Sequence, residues 1–149
     1  MDTKSNADSV STELSARRTG MSFQRTRLSS ERTLMSVIRT SLSLIGFGFT
    51  IFQFFQKLKA AGTLEHDRAP RNFGLALVYL GVGILILGIL YHVRFMLGLR
   101  EERKYMTSTG LIHGESHFPP SFTLIVAVLL LTIGLFAIAS MSFGIGPFG

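Results

Sequence analysis

The chain has 149 residues, of which 47% are hydrophobic, no cysteine, and a formal net charge of +6. That length fits one compact unit, and the absence of cysteine excludes disulfides, thiolate metal sites and thiol nucleophiles. The apolar residues are concentrated: no Asp, Glu, Lys or Arg occurs from Phe73 to Val93 or from Phe118 to Gly149, and about 20 apolar residues cross a bilayer core.

Residues 1–20 are polar and rich in Ser and Thr, with Asp2, Asp8 and Glu13 among them. With no apolar core and several acids they do not fit a signal or transit peptide, and they read as a disordered cytosolic tail. Residues 21–143 form the membrane domain, with spans at 36–56, 73–93 and 121–142, and 144–149 a short outer tail. A soluble chain of this size lacks the bulk to bury three helices that are apolar all round. The expected fold is an all-α membrane protein of three transmembrane helices, the first extended into the cytosol.

The first helix is expected to start near Ser22, since no Pro or Gly interrupts Met21 to Ile45. Arg25, Arg32 and Arg39 recur every seven residues, with Ser29, Ser36 and Ser43 four residues after each. Heptad spacing drifts by only about 20° per repeat, so these six residues line one face. From Arg25 to Arg39 that face is about 20 Å long. Leu28, Met35, Ile38, Leu42 and Ile45 fall on the other side, and Glu31 has Arg27 and Arg32 within reach as ion-pair partners. Arg39 lies inside the apolar run, where an arginine costs about 2.5–3.5 kcal/mol at the centre and less near the interface. No span contains an acid to pair with it. A water-filled vestibule built from several copies of the stripe answers that cost; arginines snorkelling to anionic headgroups are the alternative.

Gly62 and Pro70 bracket the connection to the second helix, with Glu65, His66, Asp67 and Arg68 solvated between them. The second span repeats Gly74, Gly81 and Gly88 at heptad spacing, a pattern that lets helix backbones approach closely in a membrane; Leu85 lies off that pattern, and Leu85→Ala is expected to matter less than Gly81→Leu or Gly88→Leu. Ala127 and Gly134 repeat the spacing in the third span. Basic residues set the orientation through the positive-inside bias. Eleven of them lie inside and four outside when the N-terminus is cytosolic, which puts the C-terminus outside or in a lumen. Pro119 and Pro120 precede the third helix, as proline favours a first turn.

His113 and His117 have the spacing of a helical zinc pair, but Gly114 and the two prolines favour a loop, so no metal is expected. There is no phosphate-binding glycine loop, no Ser-His-Asp set and no carboxylate pair, so no catalytic residue, no cofactor and no enzyme activity are expected. The basic residues cluster beside the spans, so the expected partners are the bilayer and its anionic lipids rather than nucleic acid.

Arg27-Leu28-Ser29-Ser30-Glu31-Arg32-Thr33-Leu34, continuing to Arg39-Thr40-Ser41-Leu42, resembles the opening helix of the YidH-like small membrane proteins, domain of unknown function 202 (DUF202). That family typically begins Ala-Asn-Glu-Arg-Thr-Phe and reaches Arg-Thr-Ser-Leu. Ser29-Ser30 stands here in place of Ala-Asn, and Val37 where Trp is frequent. The same domain forms the membrane part of the vacuolar transporter chaperone (VTC) complex, which makes polyphosphate and passes it across a membrane. Its polymerase-free subunit has a basic residue at the position of Arg25 and a Tyr-His-Trp-Arg segment similar to Tyr91-His92-Val93-Arg94. The resemblance implies that Arg25, Arg32 and Arg94 line an anion's path, with phosphate or polyphosphate as the ligand. Together with the stripe's own inclusion of Arg39, the function expected is a homo-oligomeric anion path or binding vestibule. The alternative is a non-conducting scaffold or assembly protein that binds anionic lipid or a partner protein.

Overall fold

The computed structural model describes residues 2–62, 68–108 and 121–143. The described residues form three helices, α1 (Asp2–Ala60), α2 (Arg68–Ser108) and α3 (Phe122–Phe143). Each is long and apolar enough to cross a membrane, so the chain is an all-helical, multi-pass membrane protein.

Two boundaries differ from the sequence reading. α1 begins at Asp2 rather than near Ser22, so residues 2–20 are helical where a disordered tail was expected. Glu13 pairs with Arg17 at 2.6 Å in this segment, an i, i+4 ion pair that adds about 0.2–0.5 kcal/mol. Ser9, Thr12 and Ser15 donate back to the carbonyls of Asn6, Asp8 and Ser11, contacts that do not themselves stabilise a helix. α2 likewise runs past its span to Ser108, because Leu, Arg, Glu, Lys and Met dominate residues 96–106 and all favour helix. Arg94, Arg100, Arg103 and Lys104 therefore ride on the same helix as the second span.

The helix ends follow local rules. Gly62 takes φ +72°, and its N–H reaches the Lys59 carbonyl at 2.9 Å, closing α1 with the left-handed turn that glycine accommodates. Pro70 stands in the first turn of α2, where its missing N–H costs nothing. Ser121 caps α3, its hydroxyl accepting from the Leu124 N–H. The expected solvated residues 65–67, the prolines at 119 and 120, and the outer tail 144–149 lie outside the described residues.

The chain divides into two compact units, Met1–Arg32 with Tyr91–Pro120, and Thr33–Leu90 with Ser121–Gly149. In the second unit the core is Leu34, Ile38, Leu85, Ala127 and Leu130, continued by Ile45, Val78 and Val82. Gly74, Gly81 and Gly88 all face α1. A Cβ placed on Gly74 would come within 2.7 Å of the Gly48 carbonyl oxygen, on Gly81 within 2.8 Å of Ile45, and on Gly88 within 2.5 Å of Val37. On α3, Ala127 is fully buried and a Cβ on Gly134 would come within 2.8 Å of Val82. The glycine seam is thus an intrachain contact, with backbone meeting backbone between Gly48 and Gly74.

The core side of α1 takes only part of its large apolar residues: Leu34, Ile38, Ile45 and Phe52 are buried. Leu28, Met35 and Leu42 are exposed, whereas Ser41 is fully buried and Gly48 is buried beside Leu34, Ile38 and Ile45. Lipid is as apolar as leucine, so hydrophobicity does not draw a residue inward in a bilayer; small and hydroxyl residues mark the packed side instead. Leu85 is also fully buried in the core, and shortening a buried leucine costs about 2–5 kcal/mol in soluble cores.

The first unit carries a polar contact. His92, only 2% exposed, places Nδ1 3.1 Å from the Ser30 hydroxyl, and its Nε2 has no partner among the described residues. Arg27 donates to Glu31 at 3.3 Å, both half-buried. Ser30→Ala is expected to destabilise the protein by about 1–3 kcal/mol by stripping the only described partner from a buried imidazole. Adding His92→Leu to that variant should restore much of the loss, because two apolar groups replace both partners. Thermal unfolding in detergent measures both; a double variant no more stable than the single one contradicts this account.

Candidate functional site

α1 is unbroken from residue 2 to residue 60, so the seven-residue spacing keeps its face through the whole stripe. Arg25, Arg32 and Arg39 are all exposed, as are Ser29, Ser36 and Ser43. A helix that turns Leu34, Ile38, Ser41 and Ile45 into the core turns residues about 180° away outward. Arg39 and Ser43 occupy that outward side.

Of the two basic neighbours in reach, Glu31 pairs with Arg27. Arg25, Arg32 and Arg39 have no ion pair among the described residues. Consecutive arginines stand about 10 Å apart along the axis. That is close to the screening length at 0.1 M salt, so their fields overlap weakly in water and more strongly wherever water is excluded.

The second unit fixes the depth of Arg39. Val37 packs at Gly88 and the Ser41 carbonyl at Gly81, so Arg39 lies level with the residues between those two glycines. The uncharged run of α2 continues five residues beyond Gly88, to Val93, which adds about 7.5 Å of apolar helix. Arg39 therefore stands within the apolar zone of its own chain, on the outward side, with no counter-charge. Ser43 donates to the Arg39 carbonyl at 2.9 Å and Thr40 to the Ser36 carbonyl at 3.1 Å, so these hydroxyls serve the backbone.

Arg94 is exposed, two residues after buried His92, and two helical residues turn it about 200° from the buried side of α2. Tyr91, next to His92, stacks on Phe95 at 6.2 Å. His113 and His117 lie outside the described residues, and among the described residues no group of three His, Cys, Asp or Glu is placed to hold a metal ion.

Two contacts escaped the sequence reading. Gly48 is the partner of Gly74 across the helix pair, and its only signal was its place seven residues after Ser41. The Ser30–His92 contact joins positions 62 apart, and no local pattern announces it.

Residues 16–97, more than half of the chain, match the family model described as domain of unknown function, DUF202. No curated protein and no solved structure matches the chain.

Proposed function

The chain belongs to the DUF202 family, and from that premise we propose that it works as a homo-oligomer whose first helices turn their basic faces toward a shared, water-filled anion path. One observation carries this reading: Arg39 is exposed on the side of α1 away from the core, at a depth flanked by Gly81 and Gly88, with no acid beside it. An arginine there costs several kcal/mol against lipid, about 2.5–3.5 at mid-bilayer. Copies of the same face around an aqueous interior remove that cost and supply anions as counter-charges. Phosphate and polyphosphate fit the site, since guanidinium groups bind their oxygens through paired hydrogen bonds. The N-terminus lies on the cytosolic side in this reading, so the path gathers anions there at Arg25 and Arg32. No catalytic step is assigned to the chain.

The test is mass and flux on the same preparation. In nanodiscs the protein should have the mass of several copies, and in liposomes it should pass inorganic phosphate faster than potassium. A monomer overturns the proposal. An oligomer passing neither ion points to the scaffold, in which the arginines dock anionic lipid or a partner protein.

A further inference from the structure

Beyond Arg39 the outward side of α1 changes character. The column Thr26, Thr33, Thr40 continues at the same seven-residue interval as Phe47 and Phe54. Both rings are far from buried, at 62% and 57% exposure, so the core does not use them. The hydroxyls beside them are committed: Ser43, four residues before Phe47, donates to the Arg39 carbonyl, and Thr50, between the rings, to the Gly46 carbonyl at 2.8 Å. Each keeps only acceptor lone pairs, which repel an anion. From Arg39 to Phe54 this face thus has two aromatic rings and no hydroxyl hydrogen left to offer an anion, and the next basic residue in line with Arg39 is the exposed Lys57, beyond both rings.

We propose that Phe47 and Phe54 form a dry seal across the half of the path that follows Arg39, holding anions at the arginines until the rings move aside. The proposal rests on the oligomeric reading above. Arg39, Ser43, Phe47, Thr50 and Phe54 share one side of an unbroken helix within a single compact unit. Copies that converge on Arg39 therefore converge on the rings as well. Apolar side chains crowded at a constriction exclude water and stop ions without a physical plug. The two levels differ in mobility: Phe54 rests edge-on against Phe55, centroids 5.4 Å apart, while Phe47 has no ring neighbour among the described residues. Phe47 is the moving part and Phe54 the braced one.

The experiment uses the full chain in phosphatidylcholine liposomes loaded with inorganic phosphate, with efflux as the readout. Phe47→Ala with Phe54→Ala should raise efflux about tenfold or more, the change expected when a barrier falls by roughly 1.4 kcal/mol. Phe47→Leu should stay sealed, because it remains apolar and bulky. Leu129→Ala, an exposed α3 position, should behave as wild type and controls for general loosening. Gel filtration of each variant confirms that the assembly is intact. Equal efflux from the wild type and the double alanine variant overturns the seal. If Arg39→Ala still slows that efflux, the basic path survives without its gate; if it does not, both readings fall.

Discussion

Gly74→Leu is expected to abolish packing between α1 and α2, leaving little folded protein after detergent extraction. The added Cβ alone would stand 2.7 Å from the Gly48 carbonyl oxygen and 3.0 Å from the Phe52 nitrogen. Both are backbone atoms in a regular helix, so neither can swing aside as a side chain would; the helices must separate. Overpacking a filled interior costs about 1–3 kcal/mol even where side chains can adjust, and here the whole seam shifts. Gly81→Leu should come close behind, since its Cβ would meet Ile45, Leu44 and the Ser41 carbonyl within 3.1 Å. Gly83 is the internal comparison: a Cβ there meets nothing within 4 Å, and Gly83→Ala should gain up to about 1 kcal/mol from helix propensity. Folded yield and thermal midpoint in detergent measure all three. If Gly74→Leu and Gly83→Ala behaved alike, the close approach of Gly48 and Gly74 would not matter to stability.

Arg39→Ala is expected to reduce anion flux by about tenfold or more, because a charged hydrogen bond contributes roughly 1.5–3 kcal/mol. Arg39→Lys should retain part of the flux, since the charge remains while the planar fork to phosphate is lost. Arg32→Ala should act in the same direction with a stronger dependence on salt, because a group in wider water is screened over about 10 Å at 0.1 M. Moving the charge off the stripe, as in Arg32→Met with Met35→Arg, keeps the net charge and should not restore flux. That exchange is informative because Met35 is itself exposed, so the incoming arginine is not forced into the core. The competing view, in which the arginines only anchor to headgroups, expects these variants to leave flux unchanged and to differ in affinity for anionic vesicles. Unchanged phosphate binding in both alanine variants, with the oligomer intact, would remove the basis for an anion path.

Much of this was legible in the residues. The two uncharged runs at 73–93 and 118–149, with the shorter apolar stretch that follows Arg39, pointed to three spans, because so short a chain cannot bury three such helices in itself. The Arg-Ser heptad announced one polar side of α1, and Glu31-Arg32-Thr33 with Arg39-Thr40-Ser41-Leu42 pointed to the family later matched over residues 16–97. The helical state of residues 2–20 was missed because their composition looks like that of a disordered segment. The i, i+4 spacing of Glu13 and Arg17, which pair in the structure, is the local signal that favours helix there.

By itself the sequence determined that three segments are apolar enough to cross a membrane, which residues are basic at heptad spacing, and where glycines permit close approach. Those properties are local, set by runs of hydrophobicity and by the 3.6-residue turn. Tertiary structure decided which side of α1 is inside. Ser41 and Gly48 turn in and Leu28, Met35 and Leu42 turn out, a choice hydropathy cannot make when lipid and protein interior are equally apolar. It also decided that Glu31 pairs with Arg27, that Ser30 meets His92, and that Arg39 stands level with the residues between Gly81 and Gly88. The last two depend on the register between helices far apart in the chain. That register follows from how small residues interlock, which no single segment contains.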